Sequence, residues 1–382
     1  MTHADLDALK AANPTAEVAA RYVRLRRAGQ TLIGPCPICG GSTRNGRFEV
    51  RPDTGSWMCA VCQDGGDVIT LVQKVEGVDF RTAVERLGGT EPESEESRRR
   101  REAVHARRRQ DQEAASARWR EDERRRVHKL WLEGRPIAGT AVEAYLAARR
   151  LTVPAGAHLR ALADVPLFGE RTGDGPPPVL HCGPAMLAAI TGPDRRFAAL
   201  HTTWVDPGRP GRKIEVANPT TGELEPAKKV RGSKKGGHIA LVRHPAPTRL
   251  FIGEGIETVL SVWCALVQLG SPLLEGAAFW TSVDLGNLGG PAAATIAHPV
   301  LKTPAGRPRR IPGSEPDFGG PAIVPPDSVR NIIILGDGDS EPVLTRTTAE
   351  RAACRWSQKG RTVSLAMAPP GKDFNDIWRG VE

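Results

Sequence analysis

No apolar run in the 382-residue chain approaches the ~18 residues of a membrane span. The N-terminal stretch MTHADLDALKAANP lacks the pattern of a signal peptide. A soluble, cytoplasmic protein with no membrane partner is the expectation. The chain has no internal repeat, and it has no G-x-x-x-x-G-K-[ST] loop, which argues against an autonomous motor ATPase. Positive charge is plentiful: the formal net charge is +9, a balance that suits a partner carrying phosphates. With 40% hydrophobic residues the chain can build real cores, and its 41 glycines and 32 prolines predict long loops between them.

Seven cysteines divide by spacing. Cys182, Cys264 and Cys354 are isolated in apolar or helical surroundings and read as inert thiols. Cys36, Cys39, Cys59 and Cys62 form C-x2-C-x19-C-x2-C. In a reducing compartment that spacing predicts two knuckles closing a tetrahedral Zn2+ site, structural because protein fills every position.

Composition shifts mark the organisation. Residues 1–90 read as one compact unit whose last helix runs from Asp67 through Leu87, with Val68, Leu71, Val72 and Val75 on one face. Residues 91–130 are almost entirely polar and mixed in charge, a charged helical linker. Residues 131–247 form a mixed α+β basic subdomain, with strands and turns between 176 and 207. From residue 248 to 382 the order is strand, helix, strand, strand, helix, strand, interrupted by a Pro/Gly-rich insertion near 286–328. The fold class is therefore multidomain α/β, with a mainly parallel sheet at the C-terminal end.

Ligands of parallel α/β sheets gather at the carboxyl ends of the strands. Glu254 lies beyond the strand RLFI, Asp337 and Asp339 beyond NIIIL, and Asp373 and Asp376 beyond the last strand, so topology brings acids from three segments to one edge. Two carboxylates ~5 Å apart repel by about 3 kcal/mol at an effective dielectric of 20. Hard divalent cations, Mg2+ or Mn2+, offset such repulsion, and an oxygen-rich site of this kind serves nucleotidyl transfer.

The motifs GEGIETVLSV, ILGDGDSEP and GKDFND resemble the three motifs of the toprim domain, shared by bacterial-type primases, topoisomerases and some nucleases; the resemblance covers roughly residues 248–382. Thr258 stands where the replicative enzymes usually carry an acid, and Asn375 replaces another. Both departures resemble toprim proteins of phage, plasmid and other mobile elements. The segment around the four cysteines likewise resembles the primase zinc-binding domain, with Cys39 in place of a common histidine.

A primase-like ribbon preceding a toprim domain implies a DNA primase. Its partners would be a single-stranded DNA template, nucleoside triphosphates and a separate helicase. By this resemblance Glu254, Asp337 and Asp339 are catalytic, with Asp373 and Asp376 joining them around Mg2+ or Mn2+. Arg44, Arg47 and Trp57 on the ribbon are expected to meet the template. So are Arg231, Lys234 and Lys235, from a run of six cationic side chains between Ala227 and Arg243 that contains no acid. A toprim nuclease and a non-catalytic single-strand-binding accessory protein are the alternatives.

Overall fold

The computed structural model describes residues 3–41, 46–88, 95–170, 175–219, 221–358 and 360–381. The chain divides into two units. The first contains residues 1–118, 170–178 and 295–312, and the second holds the rest.

The first unit begins with helices α1 (His3–Ala12) and α2 (Thr15–Ala20). An antiparallel meander follows: β1 (Arg26–Ala28), β2 (Thr31–Gly34), β3 (Phe48–Arg51), β4 (Ser56–Cys59) and β5 (Asp64–Gly66), paired in chain order. Strands this short bury little by themselves; here Phe48, Val50, Trp57 and Leu71 pack around the four cysteines, which are themselves buried. The single helix expected over Asp67–Leu87 is two, α3 (Val68–Glu76) and α4 (Phe80–Arg86). Gly77, at φ +66, caps α3 in the left-handed conformation that ends a helix, and Asp79 starts α4 by accepting a hydrogen bond from the Thr82 amide. The periodicity continues across the break because both helices bury one face with α1 and α2.

Helix α5 (Glu95–Glu133) is the polar segment read as a linker, and its last turns, from Trp119, belong to the second unit. There α6 (Ala141–Ala148) precedes a four-stranded antiparallel sheet of β6 (Leu159–Phe168), β7 (Val179–Thr191), β8 (Phe197–Trp204) and β9 (Lys228–Gly232). Val127 of α5 packs on this sheet with Leu167, Leu187 and Trp204.

The second sheet takes β10 (Ile239–Val242), β11 (Arg249–Gly253), β12 (Ala277–Thr281), β15 (Asn331–Gly336) and β16 (Thr362–Met367) in the order β10-β12-β11-β15-β16. Only β10 runs antiparallel, to β12. Helix α7 (Ile256–Gln268) crosses from β11 to β12, and α9 (Pro342–Ser357) from β15 to β16. The run Ile332–Leu335 lacks alternation because both faces of its strand are covered. Ile332 and Ile334 pack with Trp356 of α9, while Leu335 packs with Val259 and Leu260 of α7. The short helix α8 (Leu285–Gly289) follows β12, and α10 (Phe374–Arg379) closes the chain. Within the connection read as an insertion, β13 (Thr295–Lys302) and β14 (Pro308–Pro312) form a hairpin that belongs to the first unit, where the Arg307 guanidinium donates to the Val75 carbonyl.

Candidate active site and zinc centre

Cys36 and Cys39 lie in the turn after β2, while Cys59 ends β4 and Cys62 occupies the turn before β5. Their four sulfurs lie within 4.8 Å of one another. A tetrahedral ion with Zn–S bonds of about 2.3 Å requires neighbouring sulfurs about 3.8 Å apart. The Cys36–Cys62 and Cys39–Cys59 separations are 3.8 and 3.7 Å. Amides of Ile38 and Cys62 donate to the Cys36 and Cys59 sulfurs, each at 3.4 Å, which favours thiolate. Hydrogen bonding among the crowded sulfurs pushes the Cys36 and Cys62 thiols up and holds Cys59 down. The donor set, its size and its burial fit a structural Zn2+ ion.

Around this centre the expected template contacts divide. Trp57 is a correction: it is 2% exposed, tilted against Phe48, and its indole N–H donates to the Asp67 carbonyl at 2.9 Å. It shares a face of β4 with the ligand Cys59, and that face is the core. Arg47 is half-buried, with Nε and Nη1 shielded and without hydrogen-bond partners among the described residues. Arg44 lies outside the described residues.

In the second unit a cavity of about 270 Å³ opens beyond the carboxyl ends of β11 and β15. Glu254, Asp337, Asp339 and Asp373 all line it. Glu254 leaves β11 directly before α7, and the Thr281 hydroxyl fixes its turn by donating to the Glu254 carbonyl at 2.5 Å. Asp337 and Asp339 flank Gly338, whose position admits no side chain: a Cβ there would lie 2.1 Å from the Pro369 carbonyl oxygen. The Gly338 amide donates to the Lys372 carbonyl at 2.9 Å and so ties the β15 loop to the loop carrying Asp373. Val283, on the same cavity, holds φ +77, a costly conformation for a β-branched residue and one of the kind that gathers at functional sites.

Burial, then the charges of Asp337 and Asp284, push the Glu254 carboxyl up to about 7. Asp337 rises to about 6, with burial the larger cause and repulsion from Asp373 and Asp339 smaller, although the Thr258 hydroxyl donates to both of its oxygens at 3.0 Å. Asp376 stands apart. Its carboxylate accepts from the Asp373 amide at 3.3 Å while Asp373 accepts from the Asp376 amide at 2.7 Å, a reciprocal capping box starting α10. The expectation that Asp376 faces the metal gives way to this local role. Among the described residues only the four cysteines bring three or more ligand atoms within 4.8 Å; the acids share a cavity without converging to that degree.

The opposite wall is basic, and sequence reasoning missed most of it. Arg149, Lys213, Lys228 and His201 come from the antiparallel half of the unit. Glu257, one residue before Thr258, is buried beneath them, accepting from the Tyr145 hydroxyl at 2.6 Å and paired with Lys213 at 2.9 Å. The Lys213 and Lys228 charges with these hydrogen bonds keep Glu257 ionised, its pKa held below the usual range against burial. His201 is lowered to about 4 by burial and the nearby lysines and is therefore neutral at pH 7; its Nδ1 has no partner among the described residues. In the run 227–243, Arg231 pairs with Glu123 at 2.7 Å and Lys234 with Asp284, whereas Lys235 is exposed. Lys228, from the same run, is the one that lines the cavity.

Comparison with known proteins is informative at the N-terminal end. Residues 1–100 match the CHC2 zinc finger family, and residues 121–241 match a domain of unknown function (DUF7146). The DNA primase of Streptomyces coelicolor is 41% identical over 86 residues, 22% of this chain and 13% of that protein. The DNA primase of Mycobacterium leprae is 46% identical over 72 residues, 19% and 11% of the two chains. The chain thus matches only about an eighth of the length of these relatives. The crystal structure of the Aquifex aeolicus primase, zinc-binding and RNA polymerase domains, superposes with TM-score 0.36 at 14% identity, covering 99% of this chain and 82% of that one. Residues 1–100 are thus similar to the CHC2 zinc finger and to the matching segment of bacterial DNA primases, and the second unit holds a mainly parallel α/β sheet whose strand ends carry the acidic cavity.

Proposed function

We propose that the chain is a DNA primase, joining nucleoside triphosphates on a single-stranded DNA template. One observation carries this reading: carboxylates from three strand ends face a wall of lysine, arginine and neutral histidine across one cavity, in a chain whose N-terminal module matches that of primases. The acids Glu254, Asp337, Asp339 and Asp373 supply the hard oxygen donors that suit Mg2+ or Mn2+. When bound, the cation supplies positive charge for the triphosphate and for the charge developing on the leaving group.

The protein's own groups do the rest. Lys213 and Lys228 bind phosphate oxygens from the opposite side, and Glu257 with Tyr145 holds the Lys213 ammonium in place. Glu254, beside Asp337 at the strand ends, is the carboxylate that would take the proton of the attacking 3′-hydroxyl as its oxygen bonds the α-phosphorus and pyrophosphate leaves. The structural zinc module and the exposed Lys235 fit template recognition, and a separate helicase would expose the strand. The test is incubation of purified protein with single-stranded DNA, labelled nucleotides and Mg2+ or Mn2+. Template-dependent oligonucleotides are the expected product; cleavage of the DNA, or no reaction, would overturn the reading.

A further inference from the structure

A second, larger cavity of about 430 Å³ lies in the same unit and shares none of the acids described above. It sits at the edge strand β10: Ile239 lines the acidic cavity, and the next residue, Ala240, lines this one, so the two open on opposite faces of the strand. Its floor is aromatic. The His238 ring stacks on Trp280 with centroids 3.6 Å apart and planes 16° from parallel. Burial lowers His238 to about 3, so the imidazole presents a neutral flat face at physiological pH. His158, half-buried beside it, has Nδ1 3.5 Å from the Thr191 hydroxyl.

The mouth is cationic. Arg195 and Arg243 are exposed and make no hydrogen bond or ion pair through their side chains among the described residues. Arg195 lies in the turn between β7 and β8 at φ +61, where glycine would be relaxed. An arginine kept at a strained position beside a pocket is a candidate for use. The lining's one carboxylate, Asp327, lies 3.8 Å from Arg361.

We propose that this cavity binds a nucleoside phosphate, its base against the His238–Trp280 step and its phosphate held by Arg195 and Arg243. The volume falls within the ~300–1,000 Å³ of small-ligand sites, stacking accepts any base, and arginine forks suit phosphate oxygens. Because no acid cluster is involved, binding does not require a divalent cation.

Calorimetric titration of the full chain in buffer free of divalent cations tests this, with AMP, adenosine, inorganic phosphate and a short oligodeoxythymidylate as probes. AMP is expected to bind saturably, and more tightly than adenosine or phosphate alone. Arg195→Gly combined with Arg243→Ala, which touches only exposed side chains and relieves the strained φ, should weaken AMP about tenfold or more without lowering the melting temperature. Arg195→Gly alone should weaken it less. Displacement of AMP by the oligonucleotide would assign the site to a residue of a strand, and failure to displace it to a free nucleotide; either supports a nucleotide site. No saturable binding at millimolar AMP, equal binding of phosphate alone, or binding that survives the double substitution would overturn the proposal. None of these outcomes depends on primer synthesis.

Discussion

Replacing Glu254 by glutamine should stabilise the protein when no divalent cation is present. The Glu254 carboxyl rises from an ordinary 4.5 to about 7, and each unit corresponds to about 1.4 kcal/mol. A carboxyl whose folded pKa exceeds its unfolded value contributes stability that is full below about 4.5 and is lost as pH rises through about 7. The native protein at pH 8 has therefore lost about 3 kcal/mol that it enjoys at low pH. Glutamine keeps the shape without the charge. The variant should be more stable at pH 8 by about 2–3 kcal/mol, or roughly 5–10 °C for a domain of this size. The two proteins should converge as pH falls toward 5, and if Glu254 holds Mg2+ as proposed, the added cation should favour the native protein. Thermal melts at several pH values in divalent-free buffer read all three effects. A variant no more stable than the native chain at pH 8, or an advantage that persists unchanged at pH 5, would refute the electrostatic account of the cavity.

Asp337→Asn is expected to abolish primer synthesis with circular dichroism unchanged; normal primer yield would remove the acidic cavity from the mechanism. About one zinc per chain should be found by metal analysis, and chelation should raise hydrogen exchange over residues 30–65 while the second unit stays protected. Lys228→Gln should weaken nucleotide or template binding and lower its salt slope by roughly 0.7 per lost strand phosphate contact; an unchanged slope would make Lys228 plain surface. Tyr145→Phe removes a donor from the buried Glu257 carboxylate and should destabilise the fold by about 1–3 kcal/mol in denaturant titration.

What the sequence made legible is local or topological. Cysteine spacing announces the zinc ligands, because two knuckles are short-range geometry. That Glu254, Asp337, Asp339 and Asp373 share one edge is legible because parallel strands send their carboxyl ends the same way, a rule that needs no knowledge of side-chain packing. The basic wall was not found, because Lys213, Lys228 and His201 reach the cavity through the pairing of β8 and β9 and the loop between them, and long-range antiparallel register leaves little trace in sequence. Two signals were nevertheless present. A glutamate in the apolar helix IETVLSVW needs a buried cation, and Lys213 is that cation. Trp57 stands two residues before Cys59 on one strand, so alternation turns it toward the same core as the ligand.

The departures at Thr258 and Asn375 acquire a physical meaning from their contacts. Asn375 is wholly buried, its amide donating to the Arg149 carbonyl at 3.1 Å and the Ser261 hydroxyl at 3.0 Å while its oxygen accepts from the Arg149 guanidinium at 3.2 Å. A carboxylate in its place would lose two donors and add charge beneath the cavity. Thr258 donates to both oxygens of Asp337 and lowers its pKa, whereas an acid at that position would raise it. The two neutral residues thus limit the negative charge that the cavity gathers. Asp337 consequently settles at about 6 rather than higher, and at neutral pH it is mostly ionised even before a cation arrives. The repulsion between Asp337 and Asp339 evident in the sequence is real but secondary. Burial sets most of the shift, so a metal ion entering this site would replace lost solvation as much as relieve a clash of charges.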